Sequence, residues 1–586
     1  MNNYKSVILF AIFGILAVWL GFFQYEAISM VAIYKDSIFW ILTINLLLWL
    51  YSVLKAGWGS KSFLKNHWLG FIAALILVFL SFTMCKPDYR ILSDETNIIG
   101  ASEGFYDMRE SVVYNSVLNH SDGSKDVLKA VLDKRPSFFP YLLSVCHFIT
   151  GYRAENVFVL NFLSGFAILF LVYYLLQLRF GRFWGLCGMG CMAAYPLFVI
   201  YITSAGFECF NLLCALVLFV SMYKFLKKPT AASAEALLLW VPLISQSRYE
   251  SAVSVFVAFP LVFWKLPKEE YSKLSFRFWL LPLLFLPVAW LRIATNNAGF
   301  LQVEDAENAF GFDWLFTNIK RAFIFYFTGR PAYGIIPYFS FFTVLMAFLP
   351  RSLKYRDDLM AQQTSNGHST TTSNPQSLTT FHLMFWSVAL FLLLHALARF
   401  SYCWVDLTNP IICRLGILFI PIFVYGTVKF MAFCSQEFNI KKIFFGLSVF
   451  FVIIVYWPDA AHLTGLENVD FYWKFHLTRQ YLKTNYPNKN EYVIISIRPN
   501  IYAPLGYNSV FFKDFDSLEM KDEILNFYKN QQCKFFLAVQ YVDLKTNQPF
   551  DACQLPSYFT TKTLHEIRLP GREFYYRLAE CKLLQN

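Results

Sequence analysis

The residues best placed to do chemistry are a few carboxylates and arginines set at the edges of apolar stretches. Asp94-Glu95 lies about ten residues beyond the apolar run Trp68–Met84. Glu208 closes Ser204-Ala205-Gly206-Phe207-Glu208 at the end of another run. Arg248-Tyr249-Glu250 interrupts the apolar region Ala236–Trp264, and Arg414 follows Asn409-Pro410 at the start of a later run. Ionisable groups at membrane depth are costly to desolvate, so each is a candidate for function. Taken alone, Asp94 and Glu95 read equally well as solvated loop carboxylates. What decides between the two readings is the set of elements that carries them.

Of the 586 residues, 57% are apolar, 19% are aromatic and only 15% are charged, against about 25% charged in ordinary soluble proteins. That excludes a disulfide scaffold, a disordered chain and an ordinary cytosolic enzyme. It predicts a mainly α polytopic membrane protein. Apolar runs suggest spans near Val7–Phe23, Ile38–Leu54, Trp68–Met84, Asn156–Leu178, Phe183–Thr203 and Phe210–Phe225. Others fall near Phe278–Ala294, Ile335–Leu349, Thr380–Ala398, Leu415–Met431 and Ile443–Trp457. Ala236–Trp264 is too long for one helix with three polar residues at its centre. It reads as two short crossings that turn at Arg248-Tyr249-Glu250, which gives about thirteen crossings.

Placing the N-terminus in the cytoplasm puts 18 Lys and Arg in inside loops. Only Lys35, Arg248, Arg399 and Arg414 fall in short outside ones. The formal charge of +11 is then a topology signal and no sign of nucleic acid. Residues 1–458 form the membrane domain, with outer loops at 85–155 and 295–334. Residues 459–586 form an extracytoplasmic α/β domain. Its strands are read near Glu491–Ile497, Lys534–Tyr541, Leu564–Leu569 and Glu573–Leu578, with a helix over Glu519–Gln532. Cys533, Cys553 and Cys581 in this tail allow one disulfide and leave one thiol over. The inside loop Gln362–Thr379 is polar enough to read as disordered.

This topology brings three separated acidic sites and two or three arginines to one depth on the outer face. A carboxylate can serve as base toward an acceptor hydroxyl or amine. An arginine can grip a phosphate with two parallel hydrogen bonds and stabilise it as it leaves. That set suits an interfacial enzyme acting on a polyprenyl-phosphate donor. A transporter or flippase of lipid-linked saccharide is the alternative. It would want charges at the midplane and an internal repeat, and neither is visible.

The order of motifs resembles the GT-C glycosyltransferase clan, above all the bacterial protein O-mannosyltransferases and aminoarabinose transferases. Ser93-Asp94-Glu95 opens the first large outer loop, followed by Gly104-Phe105-Tyr106-Asp107. Lys134-Arg135-Pro136-Ser137-Phe138-Phe139-Pro140-Tyr141 is similar to the family's Lys-Pro-Pro-Leu-Tyr element, with Arg135 in place of the first Pro. It opens an apolar segment ending at Gly151 that reads as a juxtamembrane helix. Arg179-Phe180-Gly181-Arg182 is similar to the family's Arg-Leu-Phe-Gly-Arg turn, and Gln246-Ser247-Arg248-Tyr249-Glu250 resembles a basic element after later spans. The likeness covers roughly residues 68–265.

The resemblance implies an inverting transfer of a sugar from a polyprenyl-phosphate donor to an extracytoplasmic protein, lipid or polymer. Asp94 would be the base, Glu95 its neighbour or a metal contact, and Glu208 the second acidic residue, placing acceptor or metal. Arg248, Arg414, Lys134 and Arg135 would bind the donor phosphate, with Tyr249 and Glu250 in support. A divalent metal ion, on Asp94 and Glu208, stays open. The second acidic residue is Glu where the family has Asp. His147 and His395 lie in apolar segments and read as packed or hydrogen-bonded rather than as ligands. Cys187 and Cys191 read as helix packing, and Glu304, Asp305 and Glu307 as a solvated face.

Overall fold

The computed structural model describes residues 5–58, 61–90, 92–297, 310–327, 375–403, 405–408, 412–438, 470–530, 532–568 and 573–584. In chain order the first elements are α1 (Lys5–Phe22), α2 (Ala27–Lys55), α3 (Lys61–Met84), α4 (Leu92–Asp107), β1 (Val112–Asn119), β2 (Lys125–Leu132) and α5 (Phe138–Thr150). Next come α6 (Asn156–Phe180), α7 (Arg182–Ala193), α8 (Pro196–Ile202), α9 (Glu208–Lys227), α10 (Ala231–Ser245), α11 (Val255–Lys265) and α12 (Lys268–Tyr271). They are followed by α13 (Phe276–Leu284), α14 (Leu286–Asn297), α15 (Phe312–Phe327), α16 (Pro375–Phe400), α17 (Ile420–Phe438) and α18 (Asp470–Asn485). The tail holds β3 (Tyr492–Ser496), β4 (Asn508–Phe511), α19 (Leu518–Lys529), β5 (Phe535–Asp543), β6 (Phe559–Arg568) and β7 (Phe574–Leu583).

Two compact units divide the chain. The first comprises Met1–Tyr34, Trp40–Asp88 and Phe158–Gly465, and its regular elements among the described residues are helices. Among the described residues, seven helices are long and apolar enough to cross a membrane, or eight if α7 and α8 form one span. The chain is therefore an integral membrane protein. The thirteen crossings read from the sequence also counted shorter helices, Ile8–Phe22, Ala231–Ser245 and Val255–Lys265. They counted Ile335–Leu349 and Ile443–Trp457 as well, which lie outside the described residues. So do Glu304, Asp305 and Glu307 and most of Gln362–Thr379, although α16 already begins at Pro375.

The expected span Phe183–Thr203 is corrected. It is broken into α7 and α8, which are bent by 72°. Pro196 lacks an N–H and pushes the residue before it out of the helical region. Tyr195 accordingly takes φ −71° and ψ 120°. The expected turn between α10 and α11 is present, as a short 3-10 helix over Tyr249–Ser254.

The second unit comprises Lys35–Phe39, Tyr89–Val157 and Leu466–Asn586. Its centre is a seven-stranded sheet in the order β2-β1-β4-β3-β5-β7-β6. The expected strands and helix of the tail are all there. The sequence reading missed β4 and the hairpin β1–β2, which comes from the segment read as an outer loop. β3 runs parallel to β4 and β5, and its five residues are all buried, as a strand covered on both faces requires. The hairpin joins the sheet by the pair Val117↔Ser509. Ser116 donates to Asp514 at 2.5 Å, and the Asn119 N–H donates to Asn508 at 2.6 Å. By packing, then, Tyr89–Val157 belongs with the tail and not with the membrane helices. Cys533, Cys553 and Cys581 are all buried and free, so no disulfide joins them.

Candidate functional site

The predicted residues fall into two groups, one in each unit. In the sheet-containing unit, Asp94 and Glu95 occupy the first turn of α4, where the helix dipole favours negative charge. The Arg135 guanidinium bridges two carboxylates. Its Nη2 bonds Asp94 Oδ1, and its Nη1 reaches Asp133 Oδ1 at 3.1 Å. Burial opposes the charge of Arg135, yet the two carboxylates hold its proton more firmly than usual. Arg135 was expected to bind phosphate. Here its fork is occupied by Asp94 and Asp133, and it aims the Asp94 carboxylate. Glu95 is buried and accepts the Arg90 N–H at 2.6 Å, a fold-holding contact. The amine of Lys134 is pushed to a lower pKa by burial and then by neighbouring Arg135.

Further along α4, Glu103 lies between Lys125 (2.7 Å) and Tyr152 (3.2 Å). Tyr152 has one hydroxyl proton, and the Pro504 carbonyl takes it at 2.6 Å. Burial, partly offset by Lys125, raises the Glu103 pKa from 4.5 to about 7. A raised carboxyl stabilises the fold fully below its unfolded value and loses that contribution as pH climbs through the folded value. The shift corresponds to about 3 kcal/mol. We expect the thermal midpoint of the full chain in detergent to fall between pH 4.5 and 8, and Glu103→Gln to flatten that slope. An unchanged slope in the variant would refute the assignment.

His147 is buried in α5 beside Ser102 and Asn156, a row that imitates a catalytic triad. The Asn156 amide donates to Gly151 O (3.1 Å) and to His147 Nδ1 (2.8 Å). The ring proton must then sit on Nε2, which faces Ser102 Oγ at 3.0 Å. That tautomer cannot take the serine's proton, so the row is a packing network.

In the helical unit, the structure brings together Glu208, Arg248, Glu250 and Arg414. Glu208 begins α9, Arg248 precedes the 3-10 turn after α10, and Arg414 lies in the 3-10 segment Cys413–Phe419. Glu208 Oε1 faces Arg414 Nε at 3.1 Å and Arg248 Nη1 at 3.5 Å. Arg248 Nε reaches Glu250 Oε2 at 3.4 Å and stacks over the Phe207 ring, 5.0 Å from its centre. The sequence reading missed Arg399, which it counted only as an outside-loop charge. Arg399 ends α16, pairs with Glu250 Oε1 at 3.3 Å and donates to the Leu415 carbonyl. Its position at the end of a span without an acid nearby in sequence was the available signal.

Among the described residues, three arginines thus meet two glutamates. The Arg399 side chain is 1% exposed, whereas Arg248 and Arg414 are 15% and 14% exposed. Arg399 is therefore a buried anchor, and the other two can meet a ligand. Two neighbours set the geometry. Asn211 Oδ1 accepts from Ser247 and Ser251, both at 2.8 Å, pinning the turn on either side of Arg248. A Cβ on Gly206 would lie 2.4 Å from Glu208 Oε2, so only glycine lets the carboxylate settle there. Tyr249, the expected supporter, is 38% exposed.

Among the described residues, no three His, Cys, Asp or Glu side chains gather as a metal site. Asp94 and Glu208 each carry guanidinium partners, so this donor set does not fit a metal ion. In the same unit, α6, α9, α16 and α17 enclose an apolar cavity of about 90 Å³, lined by Leu216, Phe219, Met384, Leu392, Leu418 and Tyr425 among others. Leu392 lies two turns before Arg399 on α16, and Leu418 four residues after Arg414.

No family model matches the chain, and no curated protein does. Among solved structures it is similar to ArnT from Cupriavidus metallidurans bound to undecaprenyl phosphate, at 14% identity over 88% of this chain and 98% of that one, with a TM-score of 0.40. It is similar to the Archaeoglobus fulgidus oligosaccharyltransferase tethered with an acceptor peptide, at 12% identity over 83% and 70%, TM-score 0.39. The arabinosyltransferase EmbB from Mycobacterium smegmatis follows at 11% identity over 75% and 40%, TM-score 0.36.

Proposed function

We propose that this chain is an inverting membrane glycosyltransferase that takes its sugar from a polyprenyl-phosphate donor. The observation that carries the reading is the arginine cluster. It gathers Arg248, Arg399 and Arg414 at helix ends, with Arg248 and Arg414 partly exposed, in the same unit as an apolar cavity. A lipid phosphate has the charge for the first and a tail for the second. Guanidinium forks suit phosphate oxygens, and an apolar lining suits a polyprenyl tail.

In the reaction, Asp94 takes the proton of the acceptor hydroxyl or amine. The acceptor atom bonds to the anomeric carbon, and the bond from that carbon to the phosphate oxygen breaks. Arg248 and Arg414 stabilise the departing polyprenyl phosphate. The Lys and Arg asymmetry supports an N-terminus in the cytoplasm, with the sheet-containing unit and the acceptor outside. Membranes carrying the full chain, supplied with a labelled polyprenyl-phosphate sugar, should release polyprenyl phosphate and label an acceptor fraction. Movement of the intact lipid-linked saccharide across the bilayer, without transfer, would favour a flippase and overturn the proposal.

A further inference from the structure

Helix α15 is bonded to the chain beside two arginines of the cluster. Asn318 is fully buried, and its amide donates to Phe400 O at 3.0 Å and Tyr402 O at 2.9 Å. Those carbonyls follow directly on Arg399. Two turns further along α15, the Tyr326 hydroxyl donates to Gly416 O at 2.9 Å. That carbonyl lies two residues after Arg414 and next to Leu415, whose own carbonyl accepts from Arg399. The approach is close. A Cβ on Gly416 would lie 2.9 Å from both the Tyr326 hydroxyl and the Phe325 ring.

At the other end of α15, the Gly311 N–H donates to Ser401 O at 2.9 Å, and Phe310 bridges to Tyr402. The opposite face of the helix is apolar and open, with Phe312, Phe316, Ile319 and Phe323 all exposed. Segments without regular α-helix, Ser401–Tyr402 and Cys413–Phe419, carry spare backbone groups that must find partners. α15 supplies them from one rigid element.

We infer that α15 is a strap that sets the spacing of Arg399 and Arg414, with Asn318 and Tyr326 as positioning residues of the anion site. This rests on the phosphate-binding reading above. Arg414 and Arg248 grip one phosphate only when their separation is fixed, and Arg399 is tied to Arg248 through Glu250, so loosening the strap should weaken phosphate binding selectively. One lost neutral hydrogen bond corresponds to about fivefold in affinity.

The test compares a polyprenyl phosphate with the matching polyprenol, which has the same tail and no phosphate, on the purified full chain in detergent. The wild type should prefer the phosphate. Tyr326→Phe should weaken phosphate binding about fivefold, Asn318→Leu should weaken it more, and neither should change polyprenol binding. In transfer assays KM for the donor should rise with kcat nearly unchanged. If the wild type does not discriminate between the lipids, the phosphate-binding reading fails and this inference with it. If the wild type discriminates and Tyr326→Phe binds both lipids as the wild type does, or loses both equally, the strap alone is refuted.

Discussion

Asp94→Asn is expected to lower sugar transfer by a factor of about 100 to 10,000, the range lost with a general base, while donor binding stays near its wild-type value. The substitution is nearly isosteric, and its amide oxygen can still accept from Arg135. Arg135 keeps Asp133 at 3.1 Å, so the local frame has a second tether. What the amide cannot do is take a proton from the acceptor. Asp94 is suited to that task by position, since its side chain is 27% exposed, whereas Glu95 beside it is buried and bonded to the Arg90 N–H. Glu95→Gln should therefore change stability more than turnover. The measurement is single-turnover transfer from a labelled polyprenyl-phosphate sugar, with lipid binding measured separately. Full transfer by a folded Asp94→Asn protein would remove the base assignment. A parallel loss of donor binding would mean that the carboxylate shapes the site rather than reacting in it.

How far the sequence could be read depended on how local each signal was. Apolar runs announce spans because membrane burial acts on each helix by itself. The turn at Arg248-Tyr249-Glu250 was legible for the same reason: three polar residues have no place at the centre of a crossing. The break at Pro196 was also written in the chain, but a continuous apolar run concealed it. The hairpin β1–β2 was not legible as part of the sheet. Its partner β4 lies far along the chain, and a one-residue contact such as Val117↔Ser509 leaves no local mark. The fork of Arg135 illustrates the same limit at the site. Its neighbours in sequence suggested a phosphate ligand, and only folding brings Asp94 to it. Arg399 was missed because its partners, Glu250 and the Leu415 carbonyl, are remote in sequence or part of the backbone.

The arginine cluster makes the second large prediction, and it is one of opposite signs. Arg414→Ala should weaken polyprenyl-phosphate binding about 100-fold, within the range seen when one partner of a buried charged pair is truncated. It removes one of the two partly exposed guanidinium groups that can meet an anion. Glu208→Gln should do the reverse. Glu208 Oε1 now occupies Arg414 and Arg248 together, at 3.1 and 3.5 Å, and an arriving phosphate must compete with it. With the carboxylate neutralised that competition is lost, and affinity for the phosphate should increase several-fold. The same variant should be less stable without lipid, because buried guanidinium groups lose a counter-ion, and lipid phosphate should restore its thermal midpoint. Polyprenol should not, since it brings no charge. A cluster that served only to fasten helix ends would behave otherwise. Both substitutions would then lower stability, and neither would separate phosphate from alcohol. Equal weakening of phosphate binding by Arg414→Ala and Glu208→Gln would therefore rule out competition between Glu208 and the donor.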